Sequence, residues 1–494
     1  MGKYIIGIDQ STQGTKVILF DEKGGILLRL DRAHRQIIDE RGWVEHDPEE
    51  IYGNLIALVR ELLEKSGIDR ADVAAVGISN QRETALAWSR ATGRPVYNAV
   101  VWQCARGAAI CRRLEQAHPD LAETVRVRTG LRHSPYFSAP KLAWILENVP
   151  GVREAALLGE ICCGTMDSFL VFRLTHGGSF LTDYSNASRT ELFNIMDLCW
   201  DRELCGLFGI PEICLPGLMD SDGCFGETDF EGLLPRPVPI HGVMGDSHAA
   251  LFGQGCLERG QMKATYGTGS SIMMNIGERP VLSEKGIVTS LAWKARGRVQ
   301  YVLEGNINYT GAVISWLKND VGLLQSAGEC EAMALAANPE DHTCLIPAFS
   351  GLGAPYWRSD VQAAFVGMSR TTGRNELVRA GVDCIAHQIT DIVELMRQEA
   401  DIPEVELRAD GGPTRNGYLM QLQADLIRGT VRVPEAEELS CIGAAWAAGL
   451  GIGLYDDRVF TSLPCRVRTP AMPEEKRATM RSDWQRAVAA VLGK

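Results

Sequence analysis

No Cys-x-x-Cys pair occurs among the 14 cysteines. The nearest couples are the adjacent Cys162 and Cys163, then Cys104 with Cys111 and Cys199 with Cys205. Structural zinc needs paired ligands a few residues apart, so a zinc scaffold is excluded, and a large intracellular core needs no disulfides. These thiols are expected to pack as small hydrophobes. No apolar run reaches the roughly 18 residues that a bilayer demands; the longest, Gly443 to Leu454, falls well short, so membrane insertion is not expected. Positive charge is scarce, with 50 Lys and Arg against 62 Asp and Glu, a net charge of −12. Such a surface repels phosphodiester backbones and no basic cluster offsets it, so nucleic acid is not an expected partner. Low-complexity segments are missing, and so are a Walker sequence and a convincing Gly-x-Gly-x-x-Gly, which argues against P-loop and Rossmann nucleotide folds. The first residues run into a strand with no small-residue cleavage site, and the reading is a cytoplasmic protein.

What remains is an ordinary globular mixture, 45% apolar and 23% charged over 494 residues. At about 150 residues per domain this length predicts two or more domains. Tyr4 to Ile8, Val17 to Phe20 and Gly25 to Leu30 read as strands separated by tight turns. Asp47-Pro48-Glu49-Glu50 opens a helix, with a capping acid, a first-turn proline and carboxylates at the positive end of the dipole. Ile51, Leu55, Leu58, Val59, Leu62 and Leu63 give it one apolar face. Val73 to Ile78 and Ala85 to Trp88 are further strands, which together predict a layered α/β domain. The stretch Met262 to Asn275 repeats the opening pattern of apolar strand, small-residue turn and apolar strand, as a distant duplication would. A boundary is expected within Gly245 to Gly260. Beyond it, Glu376–Glu399, Arg415–Ile427, Ile442–Gly449 and Glu474–Leu492 read as helices, and Glu406–Ala409 as a strand.

Three loops could carry chemistry. Asp9 ends a buried strand, where an unpaired carboxylate is costly and a metal ion is the usual partner. The small residues that follow let backbone N–H groups approach a phosphate, and Lys16 adds a cation. Ala409-Asp410-Gly411-Gly412, with Asn416 beyond, is a second strand ending in an acid and two glycines, which permit close approach of a flat ligand or its phosphates. Tyr266-Gly267-Thr268-Gly269-Ser270 is the third. Each alone is also an ordinary turn; three of them favour a nucleotide held between two domains.

At this point the chain resembles the FGGY carbohydrate kinases of the actin-like ATPase superfamily, and glycerol-phosphorylating members in particular. Tyr136 to Asn148 fits the first family signature. Ala363 to Asp383 fits the second except for Gly381, where another small or β-branched residue is usual. Further matching runs are Gly42–Pro48, Asn80–Thr84, Val101–Cys104, Thr182–Thr190 and Gly351–Trp357. The resemblance implies a two-domain α/β fold of the actin-like (RNase H-like) type, with a polyol-binding domain at 1–253, an ATP-binding domain at 254–494 and ATP in the cleft between them. It implies that Arg82, Glu83, Trp102, Tyr136 and Asp246 line a polyol pocket bordered by Ser247 and Ser271. Asp246 would be the general base and Asp9 the residue holding magnesium through water. Thr12, Gln13, Gly14, Lys16, Thr268, Gly311, Ser315, Gly412 and Asn416 fall where the family binds ATP.

Two departures bear on the substrate, a small polyol or sugar. Ser247 stands where glycerol-phosphorylating members usually carry Gln, and Ser271 where they carry an aromatic. Loss of that ring removes about 150–250 Å² of packing surface. Glycerol is therefore the leading expectation, with a longer polyol or ketose (erythritol, ribitol, xylulose or ribulose) beside it. A non-catalytic actin-like ATP switch is the reading from another class, and a homo-oligomer is possible. Phe230 to Pro237 lacks the Gly- and Arg-containing loop through which some relatives bind a sugar bisphosphate, so such inhibition is not expected.

Overall fold

Along Tyr4–Gln10 successive side chains point to opposite faces of a sheet. Ile6 and Ile8 enter an apolar cluster with the helices Pro48–Ser66 and Met166–Leu174, whereas Ile5 packs toward the helix Leu439–Gly451. Both faces are covered, which is why these strands are near-continuous apolar runs rather than alternating ones. The computed structural model describes residues 2–493.

Six strands make the first sheet, in the order Glu227–Thr228, Val238–Gly245, Val73–Asn80, Tyr4–Gln10, Gly14–Phe20, Ile26–Ala33. Seven make the second, in the order Val288–Ala295, Arg298–Ile307, Ser270–Gly277, Gln261–Tyr266, Glu406–Asp410, Thr430–Pro434, Cys465–Arg468. The duplication expected from Met262–Asn275 extends to whole sheets. Tyr4–Gln10 pairs antiparallel with Gly14–Phe20 and parallel with Val73–Asn80. Gln261–Tyr266 pairs antiparallel with Ser270–Gly277 and parallel with Glu406–Asp410 in the same way.

The helix start read at Asp47 is built as expected: its carboxylate accepts from the Glu49 and Glu50 amides at 2.9 and 3.4 Å, and Gly67 closes the other end at φ 68°. The later helices run somewhat differently from their sequence patterns, over Arg374–Ala400, Gly417–Ile427, Leu439–Gly451 and Glu474–Leu492. Leu439–Gly451 does not stay with the second sheet. It lies on the first one, where Gly7, Gly77 and Gly242 of three neighbouring strands form a shelf. A Cβ at Gly77 or Gly242 would come within 2.4 or 2.2 Å of the Ala444 carbonyl oxygen. The same helix crosses Asp246–Gly253 backbone to backbone, since a Cβ on Gly443 would fall 1.8 Å from the Ala249 oxygen.

Gly381, the departure within the second signature, also has a packing reason. A Cβ there would meet Leu317 Cδ1 at 2.5 Å, so glycine lets the helix Gly311–Asn319 close on Arg374–Ala400. All the cysteines are free; Cys199, Cys224 and Cys465 are exposed, Cys344 is half-buried and the rest are buried. Among the described residues no helix is long and apolar enough to cross a membrane.

Candidate active site

The first sheet's parallel strands Val73–Asn80 and Val238–Gly245 end side by side, as Gly245 pairs with Asn80. Arg82 and Glu83 therefore leave one strand where Asp246 leaves the other. The second sheet supplies the opposite wall. Its register sets Asp410, Thr265, Ser271 and Asn306 in one row across four strands. Between them lies a cleft of about 750 Å³ whose lining includes Thr12, Arg82, Glu83, Trp102, Tyr136, Asp246, Ser247 and Ser271. Eight of the expected site residues thus share one space.

Its chemistry is set by a buried ion network. Arg82 donates to both carboxylate oxygens of Glu304 at 2.9 and 3.0 Å, and its Nε lies 3.3 Å from Asp246 Oδ1. Arg189 donates from Nε to Glu83 Oε1 at 2.6 Å and places its NH1 2.9 Å from Glu304. Arg189 thus occupies Oε1 of Glu83, whose backbone is held at φ 59°. Burial would raise the pKa of Glu304, but the guanidiniums of Arg189 and Arg82 outweigh it and hold that carboxyl well below the usual range. Trp102 and Tyr136 form an aromatic corner with ring centroids 5.6 Å apart, and the Trp102 indole donates to Thr12 Oγ1 at 2.9 Å.

Asp246 begins the helix Asp246–Gly253 and accepts from the Ser247 amide at 2.6 Å. About a third of its side chain is open to the cleft. Desolvation raises its pKa; Arg82 opposes the rise and the nearby charge of Asp9 adds to it, leaving the carboxyl more basic than an ordinary aspartate. His248 on the same helix is buried, with Nε2 3.3 Å from Ser290 Oγ, and burial holds it neutral.

A second cavity, of about 490 Å³, brings together Gly311, Ser315, Gly412 and Asn416. Asn416 caps the helix Gly417–Ile427 through its side-chain oxygen, which accepts from Leu419 N at 3.0 Å. Thr268 lies in the turn between the two spaces, its carbonyl accepting from the Thr310 and Ala312 amides.

The remaining expected residues line neither space. Asp9 is buried, accepts from Ser79 Oγ at 2.5 Å and lies 3.6 Å from Lys16 Nζ. Desolvation raises its pKa against Lys16 and Ser79. Lys16 is not a free cation, because it donates to Glu438 Oε2 at 2.7 Å. Gln13 is exposed and Gly14 belongs to the strand ladder.

Sequence reasoning missed Glu304, Arg189 and Lys263. Each is a charged residue that the fold buries. Glu304 in Val302-Leu303-Glu304 and Lys263 in Met262-Lys263-Ala264 interrupt apolar strands, a signal that was there to use. Lys263 donates to Thr265 Oγ1 at 3.1 Å, and Thr265 in turn donates to Asp410 at 3.2 Å.

Two family models cover most of the chain. The N-terminal domain of the FGGY family of carbohydrate kinases matches residues 4–253 and the C-terminal domain matches 262–452. The chain belongs to this family. Glycerol kinase 1 of Thermotoga maritima is 48% identical over 99% of this chain and 99% of its own length. The glycerol kinase of Bacillus licheniformis is 41% identical, with 99% of each covered. Among solved structures, Plasmodium falciparum glycerol kinase with ADP superposes with a TM-score of 0.93 at 34% identity, over 99% of this chain and 98% of that one. The fold of this FGGY chain is the two-domain α/β architecture of the actin-like ATPases.

Proposed function

We propose that this FGGY kinase transfers the terminal phosphoryl group of ATP to a primary hydroxyl of glycerol, giving glycerol 3-phosphate. The observation that carries the reading is Asp246: a carboxylate made more basic by its surroundings, opening onto a cleft whose other groups suit a polyol. Trp102 and Tyr136 offer apolar walls to the C–H edge, while Glu83 Oε2 accepts from a hydroxyl. Arg82, pinned by Glu304, donates from a fixed position. As the substrate oxygen attacks the terminal phosphorus, its proton passes to Asp246 and ADP leaves with the electron pair of the broken P–O bond. Phosphoryl transfer of this kind rests mostly on positioning and charge neutralisation.

The second cavity, with Gly311, Ser315, Gly412 and Asn416, suits the nucleoside, and the turn 266–270 with Asp410–Gly412 suits the phosphates running toward the cleft. Among the described residues no three His, Cys, Asp or Glu side chains cluster closely enough to hold a metal by protein ligands alone. That fits magnesium, which keeps most of its waters and takes one or two carboxylates plus phosphates. Asp9 is the carboxylate that would hold it, through water, and the ion would neutralise phosphate charge.

A longer polyol or ketose is a second reading, favoured by one observation: the Ser271 hydroxyl is buried in the cleft wall without a partner. The test is ADP formation by purified enzyme with glycerol, erythritol, ribitol, xylulose and ribulose. Glycerol should give the highest kcat/KM, and chelation with EDTA should stop turnover until magnesium is returned. ADP formation indifferent to every polyol would overturn the proposal and favour an ATP switch.

A further inference from the structure

Lys141 is buried to 0% exposure, an unusual place for an ammonium, and it touches no carboxylate. It lies one turn inside the helix Ser138–Asn148, and because helical side chains tilt toward the N-terminus it reaches back over the segment before the helix. There Nζ donates to the carbonyl oxygens of Pro135 at 2.7 Å, of Tyr136 and of Phe137 at 2.9 Å. An ammonium has three donors and no acceptor, and all three are used on consecutive carbonyls. Three carbonyl dipoles aimed at one point repel one another unless a cation sits there.

The other side of the segment is held by acceptors. Glu191 takes the Ser134 amide at 2.8 Å and lies 3.1 Å from His133 Nδ1, and the Thr190 carbonyl takes the Ala139 amide at 2.8 Å. Ser138 Oγ donates to the Glu83 carbonyl at 3.1 Å, so the helix start is also tied to the backbone of Glu83. The one side chain this clamped segment presents to the cleft is Tyr136.

We propose that Lys141 is a positioning residue for the polyol: by gathering the carbonyls of 135–137 it fixes the Tyr136 ring, and through Ser138 the Glu83 backbone, against the substrate. The inference rests on the polyol reading of the cleft. Neutral lysine has only two N–H groups, so deprotonation leaves one buried carbonyl facing a lone pair. Burial lowers the pKa of Lys141 to about 7, against Glu83 and Glu191, with Cys104 and Cys111 also facing it. Of the groups around these, His133 is paired with Glu191 and Arg189 with Glu83. The clamp is thus complete below neutral pH and weakens above it.

The test is Lys141→Met, which keeps the stem and removes the donors, compared with wild type from pH 6 to 8.5. Expected are a glycerol KM at least tenfold higher with the ATP KM within twofold, faster hydrogen exchange at the amides of 136–139, and loss of the wild-type rise in glycerol KM across this range. A folded variant with unchanged glycerol KM, or an ATP KM that rises in step, overturns the proposal. If the variant does not fold, the wild-type series decides, and a flat glycerol KM overturns it. If wild type turns over no polyol, the functional reading falls, and unchanged exchange at 136–139 in the variant overturns the clamp separately.

Discussion

Replacing Glu304 by Gln probes the ion network with almost no change of shape. The carboxylate is fully buried and receives two hydrogen bonds from Arg82, while the Arg189 guanidinium sits 2.9 Å away. Removing one partner from a buried charge network costs about 3–5 kcal/mol, because the remaining charges cannot be resolvated. Arg82 and Arg189 would be left with Glu83 and the partly open Asp246 as their only close counter-charges. For a lobe of this size each kcal/mol moves the melting temperature by about 2–4 °C, so Glu304→Gln should melt roughly 6–20 °C lower. It should also lower turnover, since Arg82, released from Glu304, turns more fully to Asp246 and makes that base weaker. Differential scanning calorimetry and steady-state kinetics read the two effects. In the double variant Glu304→Gln/Arg189→Met one uncompensated cation is gone, so part of the loss should return. A Glu304→Gln protein that melts within 2 °C of wild type, or a double variant no more stable than Glu304→Gln, would refute the reasoning.

Asp246→Asn should lower kcat by on the order of 10² or more, the scale of lost general-base help, while leaving the glycerol KM within a few-fold; near-normal turnover moves the base elsewhere. Because Asp246 must be ionised and its pKa is raised, kcat/KM for glycerol should fall with decreasing pH through a value above the ~4 of an ordinary aspartate. A pH–rate profile checks this, and an acid limb at or below pH ~4 contradicts it. Ser271→Phe should raise the preference for glycerol over erythritol and ribitol, and unchanged ratios would show that the Ser271 wall does not read chain length. In Lys16→Met, Asp9 and Glu438 lose an ammonium at 3.6 and 2.7 Å, so the more negative site should need less magnesium for half-maximal rate; an unchanged requirement would separate Lys16 from the metal.

Much of the fold is legible in local pattern. Asp47 and Pro48 announce their helix because capping is a short-range event, and the strands around Asp9 and within Met262–Asn275 announce a repeated hairpin because burial on both faces demands unbroken apolar runs. The path of Leu439–Gly451 was not legible. Its composition shows that it is buried, but only the glycines at 7, 77 and 242, spread over three strands far apart in the chain, show where it lies. The same distance hid Glu304, Arg189 and Lys263. Arg82, Glu83 and Asp246 sit in recognisable runs at strand ends, whereas Glu304 meets Arg82 across 222 positions and depends on strand register for its role. Lys16 shows the opposite case: a cation in the right loop is already neutralised by Glu438, a residue no local pattern connects to it.

The bare crossing at Gly443 leaves the tilt of Asp246's helix at the mercy of a chain segment from the far end of the sequence. A single methyl group inserted there has nowhere to go except between two rods, which must swing apart like a wedged door. An arc of ~1 Å at the carboxylate is enough to cost about a hundredfold in rate. Catalytic power in this enzyme can therefore be lost at a position that no ligand ever meets.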